Sequence, residues 1–402
     1  MKNYLTLIYI ISIFNVFYLT PLSIFADLFI QFFSILGIFT IVKYKYYNQD
    51  KIKYIILIIT ILIISSFLSS VYYLKQDSFS ALIATQHLFK GFSVFYFIQN
   101  FKSNKIDLKF VFKNLIKLVW LFTIFLTFAS LTKFAFTFTS PISGNKILIT
   151  ANKYAINILY FGEMYFLAKY FKTGKFLNLF YLGLIFTSTQ LYDIQRGDII
   201  FMFAILTICL FLYRKSFSAI KIYLIAPIFL VLVIISFNNS ETGNKITNKF
   251  TQMMMAFNSE ESGKIDDASI FVRLREIEFA VSGFLENPIS GKGLIRSSKQ
   301  KDLIGDIYFY PADIGIYGIL YTFGLIGIVV YAYYIIWVVK IKFLQLNMIF
   351  SGFYIYSIYT LMYTIKDGFI MLSPTQFIFC IMLIKLSQDY SLENRNHVAI
   401  AK

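Results

Sequence analysis

Two arginines in the stretch SIFVRLREIEFAVSGFLENPISGKGL, residues 269–294, are the first candidates for chemistry. Arg273 and Arg275 lie in a pattern that predicts a helix, stopped by Asn287-Pro288 and followed by a glycine-rich turn at Gly291 and Gly293. A guanidinium binds phosphate through two parallel hydrogen bonds, which an ammonium cannot copy. Arg196 stands between Asp193 and Asp198 in STQLYDIQRGDIIFMF, residues 188–203. Either these charges neutralise one another in a short loop, or Arg196 faces an anion at a helix start, with Gly197 admitting close approach. Asp313, just after Pro311, reads as an ordinary helix cap or as a general base, since no histidine falls in this region. His87 and Lys90 are three apart and share a helix face. Lys90 either snorkels to a headgroup or lines the same cavity as His87, Asp193 and Asp198.

The elements that must position these residues are apolar. The chain has 402 residues, 58% hydrophobic and 14% charged, against about 25% charged in a soluble domain. Apolar runs of roughly 20 residues recur, the length that a hydrocarbon core about 30 Å thick demands. The expected fold is all-α: a polytopic membrane protein of about twelve transmembrane helices with one large external loop that itself contains helices. Spans are expected at 4–20, 22–42, 54–74, 81–101, 114–136, 154–171, 176–192, 198–213 and 218–237, forming region 1–237. Residues 238–312 form the loop; region 313–402 holds spans at 315–339, 345–365 and 369–387 and a tail.

A net charge of +16 invites a nucleic-acid partner, but the lysines and arginines sit mainly in short loops on alternate sides of the spans. That is the positive-inside pattern, so no nucleic-acid partner is expected. With twelve spans, both termini are cytoplasmic and the loop lies outside, where it closes over a negatively charged substrate at the membrane surface. Cys209 and Cys380 fall inside apolar segments and read as small buried hydrophobes. Asp27 and Glu163, lone acids in apolar segments, read first as partners of polar groups on neighbouring helices. The glycines of 315–327 read as close-packing positions between helices. Phosphate loops, nucleotide fingerprints and metal-spaced ligand clusters are missing, and Asp266-Asp267 has no third ligand, so neither cofactor nor metal is expected.

Three segments, in order, resemble the O-antigen ligase and polymerase family. QRGDII at 195–200 resembles its Ser-Arg-Gly turn opening a span, with Gln195 for Ser. Arg273 to Pro288 to Gly293 resembles its Arg followed about fifteen residues later by Pro-x-x-Gly-x-Gly, with Ile277 where Trp is common. DIGIYGILYTFGLIG at 313–327 resembles its closing pattern, but without the His-Asn pair usual in ligases, which favours polymerase. The resemblance implies an inverting glycosyltransferase of the inner membrane acting on undecaprenyl-diphosphate-linked oligosaccharides without metal. Arg196 and Arg273 would hold the diphosphate, Arg275 or Lys90 would assist, and Asp313 would be the base. A chain-length regulator and a flippase would share the membrane. A ligase that delivers the glycan to lipid A-core is the alternative within the family. A flippase of the same lipid is the alternative outside it, though such a transporter would be expected to show internal repeats.

Overall fold

The computed structural model describes residues 2–14, 23–49, 52–103, 105–132, 137–139, 146–148, 157–192, 196–214, 268–300, 304–305, 309–368, 371 and 374–400. In chain order these form α1 (Lys2–Ile13), α2 (Ser23–Lys43), α3 (Lys53–Tyr72), α4 (Ser78–Phe89), α5 (Ser93–Lys102) and α6 (Leu108–Thr132). A two-stranded antiparallel ribbon, β1 (Thr137–Thr139) and β2 (Lys146–Leu148), departs from the all-helical expectation. Then come α7 (Asn157–Thr173), α8 (Leu177–Tyr192), α9 (Arg196–Leu212), α10 (Ala268–Glu286), α11 (Ile316–Val339), α12 (Met348–Tyr363) and α13 (Thr375–Ile400).

The chain is a multi-pass helical membrane protein. Among the described residues five segments are long and apolar enough to cross: Phe25–Lys43, Lys53–Tyr72, Ser78–Lys102, Leu108–Phe128 and Ile316–Val339. The expected count of twelve is not reached by this measure. The expected spans at 154–171, 176–192, 198–213 and 345–365 are helices of 17, 16, 17 and 16 residues. At 1.5 Å per residue, 16 residues reach about 24 Å, short of a 30 Å core. The described part of the first expected span is helical over Lys2–Ile13, its remainder and the span at 218–237 lying outside the described residues.

The core lies where α12 meets α7, with α11 and α13 flanking α12. Small residues set how closely the helices approach: a Cβ on Gly162 would stand 2.5 Å from a Val119 methyl, and one on Gly352 would stand 3.1 Å from the Tyr165 ring. Rings fill the rest. Phe161 lies 4.8 Å from Phe353 and Phe112 lies 4.9 Å from Tyr165 between centroids, in tilted and edge-on contacts that suit the ring quadrupole. Hydroxyls buried among them return to their own helices, as Thr123 donates to the Val119 carbonyl and Ser357 to that of Phe353. Cys209 and Cys380 are free and buried, in line with their reading as small hydrophobes.

Two spans are broken. A 3-10 turn at Lys90–Phe92 separates α4 from α5, and α2 lies so close there that a Cβ on Gly37 would meet the Phe92 carbonyl oxygen at 1.9 Å. In α11 the break is at Gly324, with φ 59° and ψ −147°.

Candidate functional site

Four parts of the chain meet at one mouth of the bundle. The first is the start of α9, which Arg196 opens and where Asp198 is buried at 4% exposure. The second is α10. The third is the 3-10 turn Pro311–Ile314, which carries Asp313 ahead of α11. The fourth is the turn at 364–368 after α12, which carries Lys366 and Asp367. Backbone bonds join the last two: the Gly368 amide donates to the Ala312 carbonyl at 2.9 Å, and the Ile316 amide to that of Ile365 at 3.4 Å. Gly315 makes this approach possible. Its φ is +55°, and a Cβ there would lie 2.0 Å from the Ile365 oxygen.

Asp198 is the hub of the mouth. Its carboxylate accepts a hydrogen bond from the Tyr160 hydroxyl, and the Lys366 ammonium lies 3.7 Å from its other oxygen. Lys366 also donates to the Tyr363 hydroxyl at 3.4 Å and sits 5.0 Å from that ring's centroid. Arg273 also acts electrostatically on Tyr363. A lysine and an arginine therefore both bear on one phenol. Beneath it, Tyr359 stacks on Tyr363 with centroids 5.7 Å apart, and buried Glu163 takes the Thr189 hydroxyl at 3.2 Å. Glu163 is thus an interhelical partner, as the sequence suggests.

Helix α10 sits on a small apolar cluster of Ala280, Phe309, Ile314 and Tyr321. Arg273 and Glu276 are three apart and share its inner face, whereas Arg275, about 200° round the helix from Arg273, is exposed. Glu276 is 1% exposed and accepts the Tyr310 amide at 2.8 Å, which ties α10 to the strand of chain leading into Asp313. Asp313 itself is half-buried and does not cap α11; Gly315 occupies that position, without a side-chain cap. Burial chiefly, and the nearby Asp313 charge, push the Glu276 carboxyl above its usual range, while the Tyr310 amide and Arg273 oppose the rise.

A raised carboxyl pKa means that the packed state holds the proton more firmly than the open chain. The Glu276 contribution to docking α10 is therefore complete below the ordinary glutamate range and is lost as pH rises through the raised value. Glu276→Gln is expected to flatten the pH dependence of protease cutting within residues 268–314. A wild-type cutting rate that stays constant as the pH rises from the ordinary glutamate range to neutrality would refute this.

Lys90 lies midway along the Ser78–Lys102 span. Its ammonium pairs with Asp27 at 2.7 Å and meets His87 Nδ1 at 3.2 Å. It does not snorkel to a headgroup, and among the described residues its partners are Asp27 and His87, not Arg273 or Asp198. Asp193 lies outside the described residues. Among those described, no group of three His, Cys, Asp or Glu side chains gathers as a metal site would need.

Sequence reasoning passed over Lys366, Asp367 and Glu276. A Lys-Asp-Gly turn between two apolar runs was a usable signal for the first two, since ionisable residues at a span end need partners. Glu276 has no such signal, because RLREIE reads as an alternating, solvated helix face.

Fold and site together define a polytopic helical membrane protein with a cluster of cations, carboxylates and tyrosines at one mouth. Residues 180–332, from α8 through most of α11, match the family model described as O-antigen ligase, Wzy_C. Over that segment, well under half of its length, the chain is similar to the O-antigen ligase family model. The match contains Arg196, Asp198, Arg273, Glu276 and Asp313; Lys366 lies beyond it. No curated protein matches the chain.

Proposed function

We propose that this protein polymerises undecaprenyl-diphosphate-linked repeat units into a surface polysaccharide at the outer face of the bacterial inner membrane. The observation that carries the reading is the meeting of Arg273, Lys366, Asp198 and Asp313 at one mouth, within and beside the O-antigen ligase-like segment. The donor's leaving group is a diphosphate, which gains negative charge as the bond from its oxygen to the anomeric carbon breaks. Fixed cations at that oxygen stabilise the transition state more than the ground state. Two unit charges 4 Å apart at an effective dielectric near 20 interact by about 4 kcal/mol, so two or three cations supply much of the barrier reduction.

Arg196 and Arg273 take the diphosphate. Lys366 assists them from the mouth, whereas Lys90 lies midway along a span beside Asp27, and Arg275 on the exposed face meets the lipid-linked saccharide on its approach. The acceptor is a sugar hydroxyl on a second lipid-linked unit. Its oxygen forms the new bond to the anomeric carbon, and its proton passes to Asp313. Asp198 holds Lys366 and Tyr160 in place rather than touching substrate. In this reading both termini are cytoplasmic, residues 238–312 face outward, and a flippase and a chain-length regulator act in the same membrane.

The test is purified protein in lipid with undecaprenyl-diphosphate repeat units. Products of many units support polymerisation. Transfer only to lipid A-core would make the protein a ligase, and lipid movement without transfer would make it a transporter. Lys366→Gln is expected to raise the KM for the lipid-linked donor about tenfold, in keeping with the loss of one charge-assisted phosphate contact, and Lys366→Arg to restore much of it. An unchanged KM in Lys366→Gln would remove that residue from the site.

A further inference from the structure

An unbroken α11 would pass the Leu325 and Ile326 amides to the carbonyls of Tyr321 and Thr322. The kink at Gly324 separates them, and four backbone groups at membrane depth lose their partners. The external loop supplies replacements. Leu325 N donates to Pro288 O at 2.8 Å and Ile326 N to Ile289 O at 3.2 Å. Lys292 N donates to Tyr321 O at 2.6 Å and Gly293 N to Thr322 O at 3.1 Å. The segment 288–293 thus stands where a turn of α11 is missing, and each orphaned group finds one bond.

The fit requires glycine on both sides. A Cβ on Gly324 would lie 2.5 Å from Ile289 O, and one on Gly291 2.5 Å from Tyr321 O. Gly293, at φ +88°, would bring a Cβ 2.4 Å from Ser70 Oγ. Just beyond, the Leu294 carbonyl accepts from Ser70 Oγ at 2.9 Å and from Gln76 Nε2 at 2.8 Å, which fastens the segment to the end of α3 as well. Helix α10 ends at Glu286, immediately before this plug, so little free chain separates Arg273 from the anchor.

We propose that Gly291, Gly293 and Gly324 are positioning residues: they seat the loop in the broken α11 and thereby hold Arg273 at the mouth, so that residues 268–294 are a rigid wall of the site and not a moving cover. The functional weight given to Arg273 rests on the reading above; the rigidity of the plug does not. This also gives the Pro-x-x-Gly-x-Gly segment and Gly324 a shared reason to occur in one chain.

The experiment is hydrogen exchange on the full chain in lipid nanodiscs, reading the peptides over 288–294 and 320–327 with and without undecaprenyl diphosphate. Slow exchange in both conditions is expected. Fast exchange that slows when the lipid diphosphate is added would identify a moving cover and overturn the proposal. Gly324→Ala is expected to speed exchange in both peptides and to lower turnover on the order of 10²-fold, since displacing a positioned group by about 1 Å has that effect. KM for the donor should move far less. Gly305→Ala is the control: φ there is +71°, but nothing lies within 4 Å of an added Cβ, and exchange in both peptides should stay slow. Native exchange and turnover in Gly324→Ala would also refute the idea. If that variant does not fold, Ser70→Ala, which removes one bond to Leu294 O, decides: it should speed exchange at 288–294 alone, and no change there counts against the plug. Slow exchange in a wild-type protein that transfers no sugar would leave the plug standing and sink the polymerase reading instead.

Discussion

Arg273→Lys is expected to reduce chain extension by about 10²-fold, the scale seen when one preorganised donor to a developing oxyanion is lost. The variant keeps the charge and, lysine being nearly as good a helix former as arginine, keeps α10. What it loses is the planar fork that can hold two phosphate oxygens at once. Arg273 is half-buried on the face of α10 that carries Glu276, and its charge reaches both Glu276 and Tyr363. A shorter reach or a different donor geometry at that point therefore changes the contact to a bound diphosphate without disturbing the helix. Arg275→Lys, on the exposed face, is expected to fall by less than about threefold, as rim charges usually do. The readout is the length distribution of lipid-linked product on a gel over time. Native rates for Arg273→Lys would show that a point charge suffices and that the bidentate assignment is mistaken. Equal losses in both variants would show that α10 presents its charge to the substrate as a whole, not through one face.

The face of α10 that matters was only half legible in the sequence. Two arginines two positions apart cannot both face the same target on a helix, but which one turns inward depends on what α10 packs against. The answer lies in the contacts of Ala280 on α10 with Phe309, Ile314 and Tyr321, residues some 29 to 41 positions further along the chain. A carboxylate between Pro311 and an apolar run must sit near the end of that run, and Asp313 lies on the 3-10 turn ahead of α11. Its neighbours Lys366 and Asp367 were missed because the bond from Gly368 to Ala312 that brings them there is a long-range contact with no local signature. The glycines of 315–327 read as packing positions between helices, but a Cβ on Gly327 would meet Ile319 and Phe323 of its own helix. Gly315 and Gly324 serve a different end, a left-handed backbone conformation that a hydropathy window cannot register. Hydropathy alone does not fix the number of spans for a related reason: it measures apolar runs, while several of these runs form helices of 16 or 17 residues among aromatic neighbours.

Removing Asp27 is expected to be among the most damaging single changes to stability. Asp27→Ala leaves the Lys90 ammonium, 5% exposed and midway along a span, without its carboxylate. Breaking a buried pair from one side costs about 3–5 kcal/mol, and the partial exposure of Asp27 places the effect toward the lower end. His87 cannot compensate, since an imidazole facing an ammonium offers at best a neutral acceptor. Replacing both partners tells a different story, because a dry apolar pair of similar volume is often neutral. Asp27→Ala with Lys90→Met is therefore expected to recover most of the folded protein that Asp27→Ala loses, measured as the surviving monodisperse fraction after heating in detergent. Lys90→Met alone should cost less than Asp27→Ala, because the stranded carboxylate is the more exposed partner and retains water. The same double variant separates structure from chemistry. If it is stable and extends chains at close to the native rate, Lys90 serves the fold at the α4–α5 break. If it is stable but its KM for the lipid-linked donor rises tenfold, the ammonium is drawn away from Asp27 by the diphosphate, and the site extends from the Arg273 mouth down into the bundle.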